Sequence, residues 1–189
     1  MNVAPSQGSM SIEREPWIAE DKDVYPLKLL KYEERDNKFY LTPDQLDQEH
    51  GKRPDGQKYW EDKKGNKVFH DPEDATQFLI TFEIIGGGKH SGEWVSVFAR
   101  KWYTIDGKGK LAIIAKAIDT DYDLSKGVDL DAFISDLCRG SIEPKKSDTK
   151  YGHITEFLPM KAADKAKYKA QDEAVAKVIE ELGGEEIPF

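Results

Sequence analysis

Residues 76–104, TQFLITFEIIGGGKHSGEWVSVFARKWYT, contain the two segments that decide the fold. In 76–85 apolar side chains recur at every second position, which is the pattern of a strand with one buried face. The glycine-rich run 86–92 predicts a turn after this strand. In 93–104 small aliphatic residues alternate with large aromatic ones, so the two faces of a second strand differ. We therefore expect two consecutive strands, the second with an apolar inner face and an aromatic outer face.

The outer face of the second strand combines aromatic rings with positive charge. Trp94, Phe98 and Trp102 alternate with the small residues, and Arg100 lies between two of them. Rings on which bases can stack, beside cations that meet phosphates, are typical of single-stranded nucleic-acid binding. In the alternative interpretation these rings pack beneath the insertion or beneath an N-terminal arm. The two interpretations differ in whether the rings are exposed to solvent.

Three further strands and three helices are predicted outside this region. The strands are expected at 24–34, 141–143 and 151–158, and the helices at 111–118, 130–137 and 161–182. Asp129 is a suitable N-cap for the second helix, and Gly140 is a suitable stop signal after it. We expect the last two strands to be joined by a hairpin at 145–150, which is rich in lysine.

The predicted order is strand, long insertion, strand, strand, helical connection, strand, strand. This is the order of the OB-fold, a five-stranded, partly open barrel that binds oligonucleotides on strands 2 and 3 and on the loops joining strands 1–2 and 4–5. We therefore expect a mainly β domain over 24–160, in which 36–74 is the long insertion between strands 1 and 2. The remaining segments are predicted to be a flexible arm at 1–23 and a helix with an acidic tail at 161–189.

Positive charge is concentrated in two parts of an acidic chain. The 189 residues carry a formal net charge of −8, which taken alone argues against a polyanionic ligand. However, 50–68 contains six Lys or Arg against three Asp or Glu, and 86–118 contains six against two. The first segment belongs to the insertion and the second includes the aromatic strand. Both lie where an OB-fold contacts its ligand, although a charged, solvated loop would also explain 50–68.

The insertion also supplies candidate ligand-binding side chains, and a short strand is expected in it at 38–41 or 67–69. Besides Trp94, Phe98, Arg100 and Trp102, the candidate nucleic-acid-binding residues are Lys52, Arg53, Lys58, Tyr59, Trp60, Lys89, Lys101, Tyr103 and Lys108. Tyr59 and Trp60 are the rings that lie among the lysines of the insertion. We expect the rings to stack on bases and the cations to meet phosphates.

The chain ends with two acidic residues followed by an apolar tripeptide: Glu185, Glu186, Ile187, Pro188 and Phe189. This tip resembles the acidic tip of the bacterial and phage single-stranded DNA-binding proteins. The pattern of strands and helices from 110 to 159 is similar to that of phage-encoded OB-fold proteins. The resemblance implies a protein that coats single-stranded DNA and uses its tip to recruit replication, recombination and repair proteins. Physically, the terminal ring would fill an apolar pocket while the carboxylates steer a basic partner.

We therefore predict a non-catalytic single-stranded DNA-binding protein in the cytoplasm, or in the host cytoplasm if a phage encodes it. We expect no cofactor, no metal and no membrane contact. No apolar run approaches the roughly 20 residues that span a bilayer, and Cys138 is the only cysteine, which excludes an intramolecular disulfide. The oligomeric state stays open, with a homo-oligomer as one option.

Two other classes of function were weighed against this prediction. The first is an OB-like, non-catalytic protein-interaction subunit of a phage or replication complex, which the negative net charge favours. The second is a metal-dependent nuclease, although the four histidines share no metal-ligand spacing. Asp119, Asp121 and Asp123 begin like an EF-hand loop, but Leu124 and Leu130 occupy the positions that require glycine and glutamate.

Overall fold

The computed structural model describes residues 24–51, 56–86 and 88–181. The strands are β1 (Val24–Asp36), β2 (Tyr59–Glu61), β3 (Lys67–Phe69), β4 (Thr76–Ile84), β5 (Trp94–Arg100), β6 (Leu137–Lys145) and β7 (Asp148–Leu158). The α-helices are α1 (Pro43–His50), α2 (Lys110–Ile118) and α3 (Ala162–Glu181). Single turns of 3₁₀-helix occur at Pro72–Asp74, Leu124–Lys126 and Asp131–Phe133.

The main sheet is antiparallel and has the strand order β5-β4-β1-β6-β7. Its central strand, β1, pairs with β6 near its beginning and with β4 over most of its length, with a register shift between Leu29 and Lys31. A shift of this kind bends the strand and increases its twist. The mainly β architecture is confirmed. The predicted five-stranded barrel is not confirmed, because the sheet is not closed: the described parts of the edge strands β5 and β7 are not hydrogen-bonded to each other.

The open sheet nevertheless curls around one core. Phe82 of β4 and Phe157 of β7 have ring centroids 5.4 Å apart, although β1 and β6 lie between their strands in the sheet. The inner faces of β1, β4 and β5 are buried, and α2 adds a further apolar layer. The helix predicted at 111–118 is thus confirmed as α2, with only a one-residue difference at its start.

The helix predicted at 130–137 is wrong. The segment forms one 3₁₀ turn, the backbone of Ser135 has a φ of 71°, and Leu137 already begins β6. The N-cap of this turn is Leu130 rather than the predicted Asp129, whose carboxylate nevertheless accepts a hydrogen bond of 3.0 Å from the backbone N–H of Asp131. The turn and the strand bury Phe133 and Leu137 without a helix. Tertiary packing therefore overrides a short helical pattern.

Gly140, expected to end that helix, lies instead inside β6 opposite Tyr25 and Phe157. A Cβ atom at this position would lie 2.5 Å from Cδ1 of Leu27 and 3.2 Å from Cγ2 of Ile154. Both side chains belong to the core. Because glycine has no Cβ atom, these core side chains can pack closely against β6.

Substituting Gly140→Ala is expected to lower the free energy of unfolding by about 1–3 kcal/mol, because the added methyl overpacks the core. Urea denaturation measures this change. Gly88→Ala is the matched control, since a Cβ at Gly88 meets nothing within 4 Å. That control is expected to change stability by less than about 0.5 kcal/mol. Equal stability of the two variants would contradict the packing role assigned to Gly140.

The insertion 36–74 is more structured than the sequence analysis expected. Of the two segments suggested for a short strand, 67–69 forms β3, whereas Tyr40 contributes one isolated bridge to Phe69. The helix α1 was not predicted. Its signals are Pro43 in the first turn and a capping box in which Thr42 and Gln45 bond reciprocally. The hairpin β2–β3 and α1 together form a small layer beside the main sheet.

The helix predicted at 161–182 is confirmed as α3, and its beginning is attached to the domain. Lys165 donates a hydrogen bond to the carbonyl of Ile118, and Lys169 lies 3.4 Å from the carboxylate of Asp136. None of the helices in the described ranges is long and apolar enough to cross a membrane. The arm at 1–23, Lys52, Arg53 and the tip at 185–189 lie outside the described residues.

Candidate nucleic-acid interface

Three aromatic rings are exposed on or just after β5. Trp94, Phe98 and Trp102 are 58%, 51% and 42% exposed, whereas Val95 and Val97, on the opposite face of the strand, are buried. The alternation follows from strand geometry, which sends successive side chains to opposite faces. The rings are therefore not core residues. This exposure is what a stacking surface requires, and within the described residues the insertion does not cover the rings.

A groove of about 350 Å³, here called the β5 groove, lies between the insertion and two of these rings, Phe98 and Trp102. Its lining includes Phe39, Phe69, Phe98, Arg100, Trp102 and Lys110. Trp102 is held at the groove by the loop that leads to α2. Gly109 in this loop has a φ of 96°, and a Cβ on it would lie 2.8 Å from the carbonyl oxygen of Trp102. Aromatic walls and two cations suit a strand with stacked bases and charged phosphates.

Arg100 lies where β5 meets the insertion. Its guanidinium carbon is 3.7 Å from the centroid of the Phe69 ring, a cation–π contact. Its Nη1 atom is 3.6 Å from Oδ1 of Asp74, which is an ion pair but too long for a hydrogen bond. The ion pair and the ring fix the guanidinium while leaving its N–H groups available to a ligand.

A second cavity, here called the Asp74 pocket, adjoins the β5 groove and shares Arg100 and Trp102 with it. It measures about 440 Å³. Its other lining residues include Lys58, Tyr59, Asp71, Glu73 and Asp74. The ring of Tyr59 is exposed at this pocket. It makes a cation–π contact with Lys67, whose ammonium nitrogen lies 4.4 Å from the ring centroid. Because both cavities are lined by Arg100 and Trp102, they form one continuous surface at the end of β5.

The charged groups of the Asp74 pocket differ in their environments. Lys58 lies 3.1 Å from Asp71, and this hydrogen-bonded pair lowers the pKa of Asp71 and raises the pKa of Lys58. Burial raises the pKa of Asp74, and the nearby charge of Arg100 opposes that change. The carboxylate of Asp74 is therefore the least solvated charge at the junction of the two cavities.

Some residues predicted from sequence do not reach this surface. Trp60 is half-buried and stacks on His50 of α1 at a centroid distance of 6.0 Å. Because side chains alternate along β2, it lies on the face opposite Tyr59. Tyr103 packs against the core rather than standing with the exposed rings. The structure thus brings Lys58 and Tyr59 to the site but not Trp60 or Tyr103.

Apart from Lys58, the predicted lysines in the described residues do not line the two cavities. Lys101 forms an ion pair of 2.6 Å with Glu34, and Lys108 lies 3.4 Å from Asp106. Lys89 is exposed in the turn between β4 and β5. Lys52 and Arg53 lie outside the described residues, so their placement is not described.

The sequence analysis missed several residues of the site, among them Phe39, Phe69, Asp71, Glu73, Asp74 and Lys110. All of these except Lys110 belong to the insertion and reach the site because it folds back onto β5. Asn37 fixes this arrangement by donating a hydrogen bond of 2.9 Å from its side chain to the carbonyl of Asp74. No local sequence pattern signals a contact between residues this far apart.

Comparisons with models of protein families, with curated proteins and with solved structures find no match to this chain. The candidate site therefore rests on its own geometry. Within the described ranges, no three His, Cys, Asp or Glu side chains are grouped so that they could hold a metal ion. Cys138 is buried, and burial raises its pKa to about 12, so its thiol is not activated as a nucleophile.

Proposed function

We propose that this protein binds single-stranded DNA without catalysing a reaction on it. The observation that carries the proposal is the exposure of Trp94, Phe98 and Trp102, the last two of which line a groove that contains Arg100 and Lys110. A soluble domain gains no folding stability from exposed rings, whereas unpaired bases can stack on them. The preference for DNA over RNA comes from the resemblance of the tip and is part of the proposal.

The arrangement of the strands supports the same proposal. If β1, β4, β5, β6 and β7 are strands 1 to 5, the sheet order β5-β4-β1-β6-β7 agrees with an OB-fold barrel that stays open between strands 3 and 5. The exposed rings then lie on or just after strand 3, and the insertion is the loop between strands 1 and 2. These are two of the places where the fold binds oligonucleotides.

The tip at 185–189 extends the proposal to partners. We propose that Glu185, Glu186, Ile187, Pro188 and Phe189 recruit replication, recombination or repair proteins, in the cytoplasm of the cell that contains the protein. These residues lie outside the described ones, so the support is their sequence and its resemblance to the tip of single-stranded DNA-binding proteins.

Intrinsic tryptophan fluorescence tests the proposed function directly, because Trp94 and Trp102 lie on the proposed stacking surface. Oligo-dT is expected to quench the fluorescence, and a duplex of equal length is not, since its bases are already stacked. Added salt is expected to weaken binding, with a slope of log K against log salt of about −0.7 for each cation that meets a phosphate. No quenching by either ligand would reject the proposal and favour a surface that binds protein.

A further inference from the structure

The Asp74 pocket contains a buried carboxylate that lacks hydrogen bonds. The side chain of Asp74 is 7% exposed, and no described residue donates a hydrogen bond to its carboxylate. Its nearest cation, Arg100, is at an ion-pair distance only. The oxygens of this largely buried carboxylate can therefore accept further hydrogen bonds from a ligand. The pocket is therefore complementary to a ligand that donates N–H groups.

The walls of the same pocket suit a flat, aromatic ligand. Tyr59 and Trp102 line it, and both rings are exposed. Its volume of about 440 Å³ falls within the range of roughly 300–1,000 Å³ that is usual for small-molecule sites. Three carboxylates, Asp71, Glu73 and Asp74, outnumber the two cations Lys58 and Arg100 around it. This excess of negative charge disfavours a phosphate, so a base is the part of a DNA strand that can enter.

Guanine is the base that matches both charged groups. Its Watson–Crick edge presents two adjacent N–H donors, at N1 and N2, next to the acceptor O6. A carboxylate can accept both donors at once, and a guanidinium donates to O6. Adenine and cytosine offer one amino group on this edge, and thymine one N–H. Asp74 and Arg100 lie next to each other, as do the two N–H donors and the acceptor O6 on the edge of guanine. Each charged group can therefore face the guanine atoms that complement it.

We propose that the Asp74 pocket binds a guanine of the single strand, with Asp74 accepting from N1–H and the N2 amino group and Arg100 donating to O6. This inference rests on the proposed function, and gives a strand-coating protein a base preference at one position. Tyr59 and Trp102 hold the base by stacking. The remaining rings of the β5 groove, such as Phe98, bind the neighbouring bases regardless of sequence.

The test compares oligo-dT with the same strand carrying one central guanine, and with one central inosine, which lacks the 2-amino group. Guanine is expected to tighten binding by about fivefold or more, and inosine to lose most of that gain. An equal gain from inosine overturns the inference. Binding of oligo-dT with no gain from guanine also overturns it, while leaving the proposed function intact. Failure of all three strands to bind rejects the proposed function itself.

Asp74→Asn is expected to bring the ratio of the affinities for the guanine strand and for oligo-dT close to one, because the amide retains only one acceptor oxygen. Asp106→Asn is the matched control, since Asp106 is exposed and lies outside the lining of the pocket. This control is expected to keep the preference. A guanine preference that survives in a folded Asp74→Asn variant overturns the inference. The inosine comparison uses the unaltered protein and decides the matter if the variant does not fold.

Discussion

Replacing Phe98 and Trp102 together with alanine is expected to weaken the binding of oligo-dT by on the order of 10³-fold, because base stacking contributes about 1–3 kcal/mol per ring. Both rings are exposed and both line the β5 groove. Their removal leaves the cations in place, so the salt dependence of the remaining binding is expected to stay the same. Anisotropy of a labelled oligo-dT measures the loss without relying on the tryptophans themselves.

The control for this variant is Ile113→Ala combined with Ile134→Ala. These two side chains are also exposed and apolar, but they do not line either cavity. The control is expected to bind oligo-dT as the unaltered protein does, and thermal unfolding checks that both variants are folded. A loss below about threefold in the ring variant would show that the exposed rings do not stack on bases.

The aromatic face of β5 could be predicted from the sequence because the signal is local. Strand geometry alone assigns Val95 and Val97 to one face and Trp94 and Phe98 to the other. Whether the rings of that face are covered depends on distant segments. Their exposure therefore had to come from the structure, as did the position of the insertion beside them.

The parts that could not be predicted are those determined by long-range contacts. Asp74 lies beside Arg100 in a segment whose two ends are joined by long-range contacts, including the hydrogen bond from the Asn37 side chain to the carbonyl of Asp74. The segment 130–137 has helical spacing, yet Leu137 is needed as the start of a strand beside β1. By contrast, α1 carried a local signal in its capping box, which the sequence analysis did not use. Closure of the sheet could not be predicted either, because it depends on whether the two edge strands, β5 and β7, pair with each other.

Phe82→Ala is expected to lower the free energy of unfolding by about 3–5 kcal/mol, the usual cost of removing a buried phenylalanine. The ring is fully buried, with an exposure of 0%. It lies opposite Leu29 of β1 and Val95 of β5, and its contact with Phe157 links β4 to β7 across the interior of the curled sheet. The cavity left by the ring would therefore adjoin several strands, which limits local collapse. Urea denaturation at low temperature measures the loss.

Phe98→Ala is the matched control, because it is the same substitution on the adjacent strand but on the exposed face. It is expected to change stability by less than about 0.5 kcal/mol while weakening oligo-dT binding. Phe82→Ala is expected to do the reverse, binding oligo-dT normally under conditions where it remains folded. A loss of stability below about 1 kcal/mol for Phe82→Ala would contradict a single core enclosed by the curled sheet. The opposite responses of the two phenylalanines would separate the face that holds the sheet together from the face that binds DNA.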